Sequence, residues 1–257
     1  MISVRPVKAF SDNYIWLLVD ESHRAVVVDP GDAKPVAKAL EAGGLTLAAI
    51  LVTHHHFDHT GGVATLAETW GCPVYGPENP QIDAITERLA AGDCIEVLGC
   101  GFEVLAVPGH TLDHIAFFNR SETPMLFCGD TLFAGGCGRV FEGTFNVMFE
   151  SLQRLAELPD DTRVYCAHEY TLANLAFARA VEPDNEALRE RIAQAEALRD
   201  RDTPTVPSLL ATERATNPFL RCSQVSVRNG LAAAGRSAGS GPQDCFAQLR
   251  QWKDGFR

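Results

Sequence analysis

A single ten-residue stretch, from Thr53 to Gly62, most restricts what this chain can fold into. Its sequence is T-H-H-H-F-D-H-T-G-G, so four histidines and one aspartate fall within six consecutive positions. The apolar run Leu47–Val52, which has the length of a buried strand, precedes it, and two glycines that permit a sharp turn close it. We therefore expect a loop at a strand end. Imidazole nitrogens and carboxylate oxygens suit zinc and neighbouring metals, which favours a metal site over a polar surface loop.

Ligand-type residues also follow three later predicted strands. They are His110 after Glu103–Val107, Asp130 after Met125–Cys128, and His168 after Arg163–Cys166. A small residue or a turn comes next to each of them, which lets the backbone bend toward the sheet edge. Four such placements predict that one edge of a layered sheet converges on metal. Asp29, which follows the predicted strand Ala25–Val28, is expected to orient a ligand histidine.

Seven ligands are enough for two metal ions. Our hypothesis gives His54, His56 and His110 to one ion, gives Asp58, His59 and His168 to the other, and lets Asp130 bridge them. Two cations roughly 3.5–4 Å apart can share a hydroxide as nucleophile and polarise a substrate carbonyl. Asp58 and Asp130 are therefore the predicted catalytic carboxylates, and no serine or cysteine nucleophile is needed. His55 is expected to have a structural role or to support the ligands without binding metal, and the same expectation applies to His23 and His114.

Composition excludes several classes of function. The 257 residues carry a formal net charge of −11, which argues against a nucleic-acid partner. No apolar run approaches the roughly 20 residues of a membrane span, and the first residues show strand-like alternation rather than an export segment. The eight cysteines are scattered without a C-x-x-C pair, which favours buried thiols in a reducing compartment. We expect a cytoplasmic protein with no membrane partner.

The pattern along the chain predicts an α/β fold in two domains. Strands and helices alternate over residues 1–169, which we interpret as the metal-binding domain. Residues 170–257 have helical periodicity instead, which predicts a helical domain. Within it we expect helices at 172–181, 186–199, 208–213 and about 243–252, and a mobile segment at 230–241 rich in Ala, Gly and Ser.

The histidine loop resembles the H-x-H-x-D-H signature of the metallo-beta-lactamase fold, a four-layer αββα sandwich. Further stretches resemble the glyoxalase II family, the hydroxyacylglutathione hydrolases, and the likeness runs from the first strand into the helical domain. These stretches are Pro108–Thr111, Gly129–Phe133, Gly136–Arg139, Phe141–Thr144, Cys166–Thr171 and Val181–Pro183. The resemblance implies a sandwich followed by a C-terminal helical domain that binds glutathione.

The resemblance also implies an activity. The family hydrolyses S-(2-hydroxyacyl)glutathione, chiefly S-lactoylglutathione, to glutathione and D-lactate during methylglyoxal detoxification. It uses two metal ions per chain, for which zinc is favoured here and iron or manganese are the alternatives. The seven ligands proposed above fall on the family's metal positions. The expected partner is the small glutathione thioester, and we expect a monomer.

The same resemblance points to five substrate-contacting positions, namely Arg139, Phe141, Tyr170, Arg250 and Lys253. Glutathione carries two carboxylates, so an acidic protein needs local cations to bind it, and arginine can bind a carboxylate with two hydrogen bonds. Two residues depart from the family pattern. Phe141 stands where some members have tyrosine, which removes a hydroxyl donor. Asp113 stands where glycine is common, and we expect it to leave the metals untouched.

Two other readings compete. One is a different reaction of the same superfamily, such as beta-lactam hydrolysis or persulfide oxidation. The helical tail with its basic pair argues against a lactamase. The other is a noncatalytic, metal-stabilised interaction module. Structural zinc sites use four ligands, many of them cysteine, whereas a mixed set of histidine and aspartate suits an open site for two ions.

Overall fold

The computed structural model describes residues 2–256. These residues form two compact units. The first unit comprises the described residues up to Ala106 together with Asp113–Gly129, and the second comprises Val107–Leu112 and the described residues from Asp130 onward. The domain limits 1–169 and 170–257 stay a prediction, and their outermost residues, 1 and 257, lie outside the described part of the chain.

The first unit contains a six-stranded mixed sheet whose strand order follows the chain. Its strands are β1 (Ser3–Ala9), β2 (Asn13–Val19), β3 (Arg24–Val28), β4 (Thr46–Leu51), β5 (Val74–Pro77) and β6 (Glu87–Leu89). The first three strands pair antiparallel, whereas β3 to β6 pair parallel. Because β3 and β4 are parallel, their carboxyl ends lie at the same edge of the sheet. The loops that carry Asp29 and Thr53 therefore start side by side.

Three helices belong to this unit, namely α1 (Ala33–Gly43), α2 (Phe57–Thr60) and α3 (Val63–Trp70). Helix α1 begins where the Asp32 side chain accepts a hydrogen bond from the Lys34 amide, and Gly44 ends it with a φ of 58°. Its buried residues Val36 and Leu40 join sheet residues in one apolar cluster. Full burial of such a side chain contributes about 1.5–3 kcal/mol. This core stabilises the edge of the sheet at which the histidine loop begins.

Four more strands of the first unit form an antiparallel meander. They are β7 (Cys94–Val97), β8 (Cys100–Ala106), β9 (Ile115–Asn119) and β10 (Met125–Gly129). Gly129 has a φ of 46°, and a Cβ placed there would lie 2.3 Å from Thr53 Oγ1. Only glycine tolerates both the left-handed backbone and this approach. The end of β10 therefore lies directly against the start of the histidine loop.

The second unit is mainly helical. Its strands are β11 (Leu132–Phe133) and β12 (Gly136–Cys137), which pair with each other, and β13 (Arg163–Cys166) and β14 (Ser208–Leu209), which also pair antiparallel. Its helices are α4 (Phe145–Ala156), α5 (Thr171–Val181), α6 (Glu186–Arg199), α7 (Leu210–Thr216), α8 (Val225–Ala233) and α9 (Pro242–Asp254), with a 3-10 helix at Pro218–Leu220. Thr144 and Asn185 cap α4 and α6 with their side chains.

Aromatic side chains form much of the core of the second unit. The ring of Phe219 lies 5.8 Å from that of Phe177 and 5.7 Å from that of Phe246, measured between centroids. Phe149 of α4 contacts Phe246 in turn, at 5.8 Å. The first of these pairs is stacked, the second meets edge-on and the third is tilted, and such ring pairs contribute about 0.5–1.5 kcal/mol each beyond their buried area. They fix α5 and α9 to the 3-10 helix.

Two details of the helical region differ from the sequence prediction. Residues 208 and 209 form a short strand, so the helix expected at 208–213 begins only at Leu210. Helix α8 was not predicted, and it includes Gly230, which we had assigned to a mobile segment. A Cβ at Gly230 would lie 1.9 Å from the Val181 carbonyl oxygen. Glycine here therefore allows α8 to approach α5, and it does not break the helix.

Both units combine helices with strands, as expected for an α/β protein. Among the described residues, no helix has the length and apolar character needed to cross a membrane. All eight cysteines are free, and six of them are buried. Burial raises the pKa of the Cys166 thiol to about 12, so this cysteine stays protonated at neutral pH.

Candidate metal centre

Asp29 anchors the histidine loop of the first unit. It stands at the end of β3 with a φ of 52°, which is unusual for a residue other than glycine, and its carboxylate is buried. One carboxylate oxygen accepts the Thr53 amide at 2.7 Å, and the other accepts the Thr53 hydroxyl at 2.8 Å. Its Oδ2 also lies 3.0 Å from His59 Nδ1. As expected from the sequence, Asp29 contacts a candidate ligand histidine.

These contacts determine which ring nitrogen of His59 faces the site. An ionised carboxylate only accepts hydrogen bonds, so His59 must donate its Nδ1 proton to Asp29. A neutral imidazole has one proton, and the Nε2 atom of His59 therefore carries the lone pair. Metal-binding histidines in proteins are held in this way by a carboxylate on the other nitrogen.

His54 is oriented by the same anchor through Thr53. The Thr53 hydroxyl donates its single proton to Asp29, so its oxygen can only accept from His54 Nδ1, which lies 3.0 Å away. This leaves the lone pair on His54 Nε2. The buried His54 ring also stacks on His114 with centroids 4.5 Å apart, in agreement with a structural role for His114.

Asp58 and His56 complete the part of the ligand set that lies in the first unit. Asp58 Oδ2 accepts a hydrogen bond from the Asn13 amide at 2.9 Å and lies 3.5 Å from His59 Nε2. His56 is half-buried and precedes the short helix α2, with its ring centroid 4.8 Å from that of His54. One short stretch of chain, which includes helix α2, therefore carries all four candidate ligands of this unit.

Asp130 joins the candidate ligands of the second unit. Its Oδ2 lies 3.4 Å from His110 Nε2, and its Oδ1 lies 3.3 Å from His168 Nε2. His110 Nδ1 lies 2.8 Å from the Arg139 carbonyl oxygen and donates to it, because a carbonyl can only accept. Gly138 permits the close approach of the Arg139 segment to the Asp130 backbone, since a Cβ there would lie 1.9 Å from the Asp130 carbonyl oxygen. A histidine nitrogen therefore lies near each oxygen of Asp130.

The distances among these atoms fit metal ligands. Zinc binds nitrogen and oxygen at 2.0–2.2 Å in a tetrahedron, so two ligand atoms on one ion lie about 3.3 Å apart. The three nitrogen–oxygen pairs within the units lie at 3.5, 3.4 and 3.3 Å. In each pair the nitrogen is Nε2, and for His59 and His110 the Nδ1 atom is held by an acceptor of the protein. The donor set thus suits a metal of the zinc type.

Three of the predicted substrate residues are exposed in the second unit. Phe141 is 60% exposed and its ring meets the His110 ring edge-on at 5.2 Å. The exposed Arg139 guanidinium lies 5.4 Å from the centroid of Phe141. Tyr170 is 38% exposed and stacks on the His168 ring at 4.6 Å. All three are therefore neighbours of candidate ligand histidines and reach solvent.

Arg250 and Lys253 on α9 are placed differently. Arg250 is only 5% exposed, and its Nη1 donates to the Cys137 carbonyl oxygen at 2.9 Å while its Nη2 pairs with Asp254 at 3.0 Å. Lys253 Nζ donates to the Ala173 carbonyl oxygen at 3.1 Å. Burial, and to a lesser degree the Arg250 charge, lowers the pKa of Lys253. Their role in glutathione binding stays a prediction.

Sequence reasoning missed several residues that support the histidine loop. Thr53 and Asn13 touch candidate ligands, and Asn79 and Asp113 reach the loop through His55. Thr53 could have been noticed, since it stands directly before the histidines. Asn13 ends a Ser-Asp-Asn stretch, whose residue types are typical of a turn and do not by themselves indicate a contact with a ligand. Nothing in the sequence around Asn79 indicated its role.

Two family models match the chain. Residues 10–168 match the metallo-beta-lactamase superfamily, and residues 169–256 match the hydroxyacylglutathione hydrolase C-terminus. The chain thus belongs to the metallo-beta-lactamase superfamily, and its fold class is the predicted α/β sandwich with a C-terminal helical domain. A hydroxyacylglutathione hydrolase of Pseudomonas aeruginosa (strain LESB58) is 57% identical over the full length of both chains. The chain is a member of the hydroxyacylglutathione hydrolase family.

Solved structures agree on the fold. The crystal structure of ETHE1 from Myxococcus xanthus is 25% identical and superposes with a TM-score of 0.66, covering 99% of this chain and 90% of that one. The structure of TTHA1623 in a di-iron-bound form is 33% identical with a TM-score of 0.55, covering 64% of this chain and 92% of that one. A site for two metal ions is therefore what the superfamily implies for this chain.

Proposed function

We propose that the chain is a hydroxyacylglutathione hydrolase that cleaves S-(2-hydroxyacyl)glutathione, chiefly S-lactoylglutathione, to glutathione and a 2-hydroxy acid. The name comes from relatives that match it over their full length. The observation that carries the proposal is the state of the ligand histidines. His59 and His110 each donate Nδ1–H to a fixed acceptor and direct Nε2 toward a carboxylate oxygen. Side chains in this state are prepared for metal.

The proposed ligands are the seven residues identified in the sequence, namely His54, His56, Asp58, His59, His110, Asp130 and His168. All seven lie inside the stretch that matches a single family model. We assign them to two ions, of which zinc is favoured and iron or manganese are alternatives. When bound, the ions supply a lowered pKa for the attacking water and a positive charge beside the thioester carbonyl.

The chain's own residues have defined tasks in this proposal. Asp58 and Asp130 are the proposed catalytic carboxylates, since their negative charges would hold the metal ions in the site. Asn13 holds Asp58 by a hydrogen bond, and the Arg139 carbonyl holds His110. Tyr170 covers the His168 ring and thereby restricts water on that side. Neither Cys137 nor Cys166 serves as nucleophile in this proposal, because burial raises the pKa of both thiols.

Glutathione recognition is assigned to the exposed side chains and to Lys253. Arg139 offers a guanidinium to a glutathione carboxylate, and Phe141 and Tyr170 offer apolar faces to the rest of the tripeptide. Lys253 keeps donors beyond the one that contacts Ala173, since an ammonium carries three. Arg250 has a structural role, because its bond to the Cys137 carbonyl oxygen fixes α9 to β12. It contacts substrate only if its bond to Asp254 opens.

We also propose that the protein is a cytoplasmic monomer without a nucleic-acid or membrane partner. The net charge of −11 supports the absence of nucleic acid. Six buried free thiols support a reducing compartment. Size-exclusion chromatography with light scattering tests the monomer, and cell fractionation tests the compartment.

The decisive experiment joins metal analysis to a panel of substrates. Purified protein should contain close to two ions per chain and should hydrolyse S-lactoylglutathione far faster than a coenzyme A thioester, a beta-lactam or a glutathione persulfide. Comparable or faster turnover of one of the other three substrates would replace the proposal by that reaction. Full activity after complete removal of metal would refute the metal-dependent mechanism.

A further inference from the structure

Asp113 links the histidine loop to the segment that follows β5. Its Oδ1 lies 3.0 Å from His55 Nδ1, and its Oδ2 accepts a hydrogen bond from the Asn79 side-chain amide at 2.7 Å. The side chains of Asp113 and His55 are 9% and 13% exposed. Each carboxylate oxygen therefore has a defined partner in a mostly dry environment, where hydrogen bonds are strong.

Asn79 is itself held rigidly, and it transmits this rigidity to Asp113. Its backbone amide donates to the Pro77 carbonyl at the end of β5, and its side-chain oxygen accepts from the Gln81 amide at 2.8 Å. Asn79 as a whole is 8% exposed. Because the amide oxygen faces Gln81, the amide nitrogen must face Asp113. The sheet thus sets the orientation of the Asp113 carboxylate.

His55 is the residue through which this link reaches the candidate ligands. It stands between His54 and His56, in a stretch with no regular helix or strand before α2 begins at Phe57. Its ring meets the His56 ring edge-on at 5.1 Å. A loop of this kind moves easily unless side chains hold it. Fixing the His55 ring restricts the backbone dihedrals that also set the directions of both neighbouring ligands.

We propose that Asp113 is a positioning residue that holds the histidine loop through His55 and so slows the loss of bound metal. This goes against our expectation that the replacement of the common glycine by Asp113 leaves the metals untouched. A glycine at this position has no side chain to reach His55. The inference rests on the proposed function only in that the loop binds metal, and it does not depend on the substrate.

The test compares zinc release from the zinc-loaded wild-type protein and its variants into a chromophoric chelator. Asp113→Gly should release zinc about 10-fold faster, the lower end of the effects known for residues that support metal ligands. His55→Ala should have the same effect, and the double variant should show no further increase, because both changes break one link. Asp113→Asn, which can still accept from His55, should be intermediate.

Two controls separate positioning from a general loss of stability. Asp83→Gly removes a carboxylate from an exposed position of the same unit and should release zinc at the wild-type rate. Thermal unfolding of the metal-free proteins measures any structural contribution of Asp113. A lower unfolding temperature of metal-free Asp113→Gly with an unchanged zinc-release rate would overturn the inference. Additive effects of the Asp113 and His55 changes would overturn it too.

The outcome is distinct from that of the proposed function. If the wild type binds zinc but does not hydrolyse glutathione thioesters, the proposed function fails while the release rates still test Asp113. If the wild type hydrolyses S-lactoylglutathione and Asp113→Gly releases zinc at the wild-type rate, only the inference about Asp113 fails.

Discussion

The histidine loop and helix α9 both contain residues that the sequence assigned to ligand binding, yet the two regions use their polar atoms differently. In the loop, protein acceptors hold the Nδ1 atoms of His54 and His59, so the Nε2 atoms are the ones that we propose to bind metal. On α9, the protein itself takes the guanidinium of Arg250, which contacts a carbonyl and a carboxylate. A ligand-binding residue is thus held by atoms that it does not need for the ligand.

This difference teaches how to judge a candidate residue from its neighbours. Burial alone does not separate the two cases, because His59 and Arg250 are both nearly inaccessible. What separates them is whether the holding contacts leave a functional atom available. By this criterion the loop histidines are prepared for metal, and Arg250 contributes mainly to the structure of the second unit.

The largest effect is expected at the candidate metal centre, from the replacement of Asp130. Asp130→Ala removes both oxygens that face His110 and His168, and we expect one of two ions to be lost from the protein. kcat/KM for S-lactoylglutathione should fall roughly 10³-fold, which corresponds to about 4 kcal/mol of transition-state stabilisation. Metal analysis and steady-state kinetics measure this. Asp161→Ala, at an exposed position, is the control and should keep both ions.

Two variants on α9 separate substrate binding from a structural role. Lys253→Ala should raise KM for glutathione thioesters about 10-fold with little change in kcat, as expected for lost substrate binding. Arg250→Ala should also raise KM more than it lowers kcat, but in addition it leaves the buried Cys137 carbonyl without its donor and removes the ion pair with Asp254. Such a loss costs about 1–3 kcal/mol of unfolding free energy.

Denaturant unfolding distinguishes these two variants. A stable Arg250→Ala protein with a raised KM would show that Arg250 binds substrate directly and that our criterion is wrong for it. If KM is unchanged in both variants, the glutathione site lies elsewhere.

A smaller effect concerns Phe141, whose ring lies beside His110 and Arg139. Phe141→Tyr adds back the hydroxyl that some family members have at this position. One hydrogen bond to glutathione contributes about 1 kcal/mol, so KM should fall about 5-fold while the metal content stays the same. A KM equal to that of the wild type would show that the hydroxyl does not reach the substrate.

The smallest effect is expected at Glu213, a buried carboxyl to which we assign only a structural role. Burial raises the pKa of Glu213, which accepts hydrogen bonds from Ser208, Gly135 and Asn217. The folded protein then keeps this proton at pH values where the unfolded chain, with its ordinary pKa of 4.5, has lost it. Unfolding free energy therefore falls as pH rises above about 4.5, until the raised pKa is passed.

Glu213→Gln should lack this component of the pH dependence. The comparison of denaturant unfolding curves between pH 4 and pH 8 measures it, with the wild type and the variant treated identically. A variant whose stability changes with pH as the wild type's does would show that Glu213 does not titrate in this range. Turnover at neutral pH should be unchanged, because Glu213 contacts none of the candidate ligands in the described structure.

The sequence predicted those features that depend on local pattern. The histidine loop, the strand ends before His110 and Asp130, and the helices 172–181 and 186–199 all follow from periodicity and turn residues within about ten positions. The family and its fold class followed from longer motifs and are confirmed by the full-length relatives.

What the sequence did not give depends on contacts between distant segments. Gly230 looks like a helix breaker until the Val181 carbonyl beside it is known. Arg250 looks like a surface cation until α9 is placed on β12, 113 positions away in the chain. Asp113 was noticed only as a departure from the family pattern, and its contact with His55, like the contact of Asn79 with Asp113, is visible only in the fold. Such pairs leave no periodic signal in one sequence.

The carboxylate of Asp29 also has a consequence for the thermodynamics of metal binding. It fixes the Thr53 hydroxyl and the His59 ring, and through Thr53 it fixes His54 as well. The rotational freedom of two imidazoles is therefore lost during folding and not when an ion arrives. Binding should then carry little unfavourable conformational entropy, and calorimetry of the first ion would show this as a small entropic penalty that grows when Asp29 is replaced by alanine.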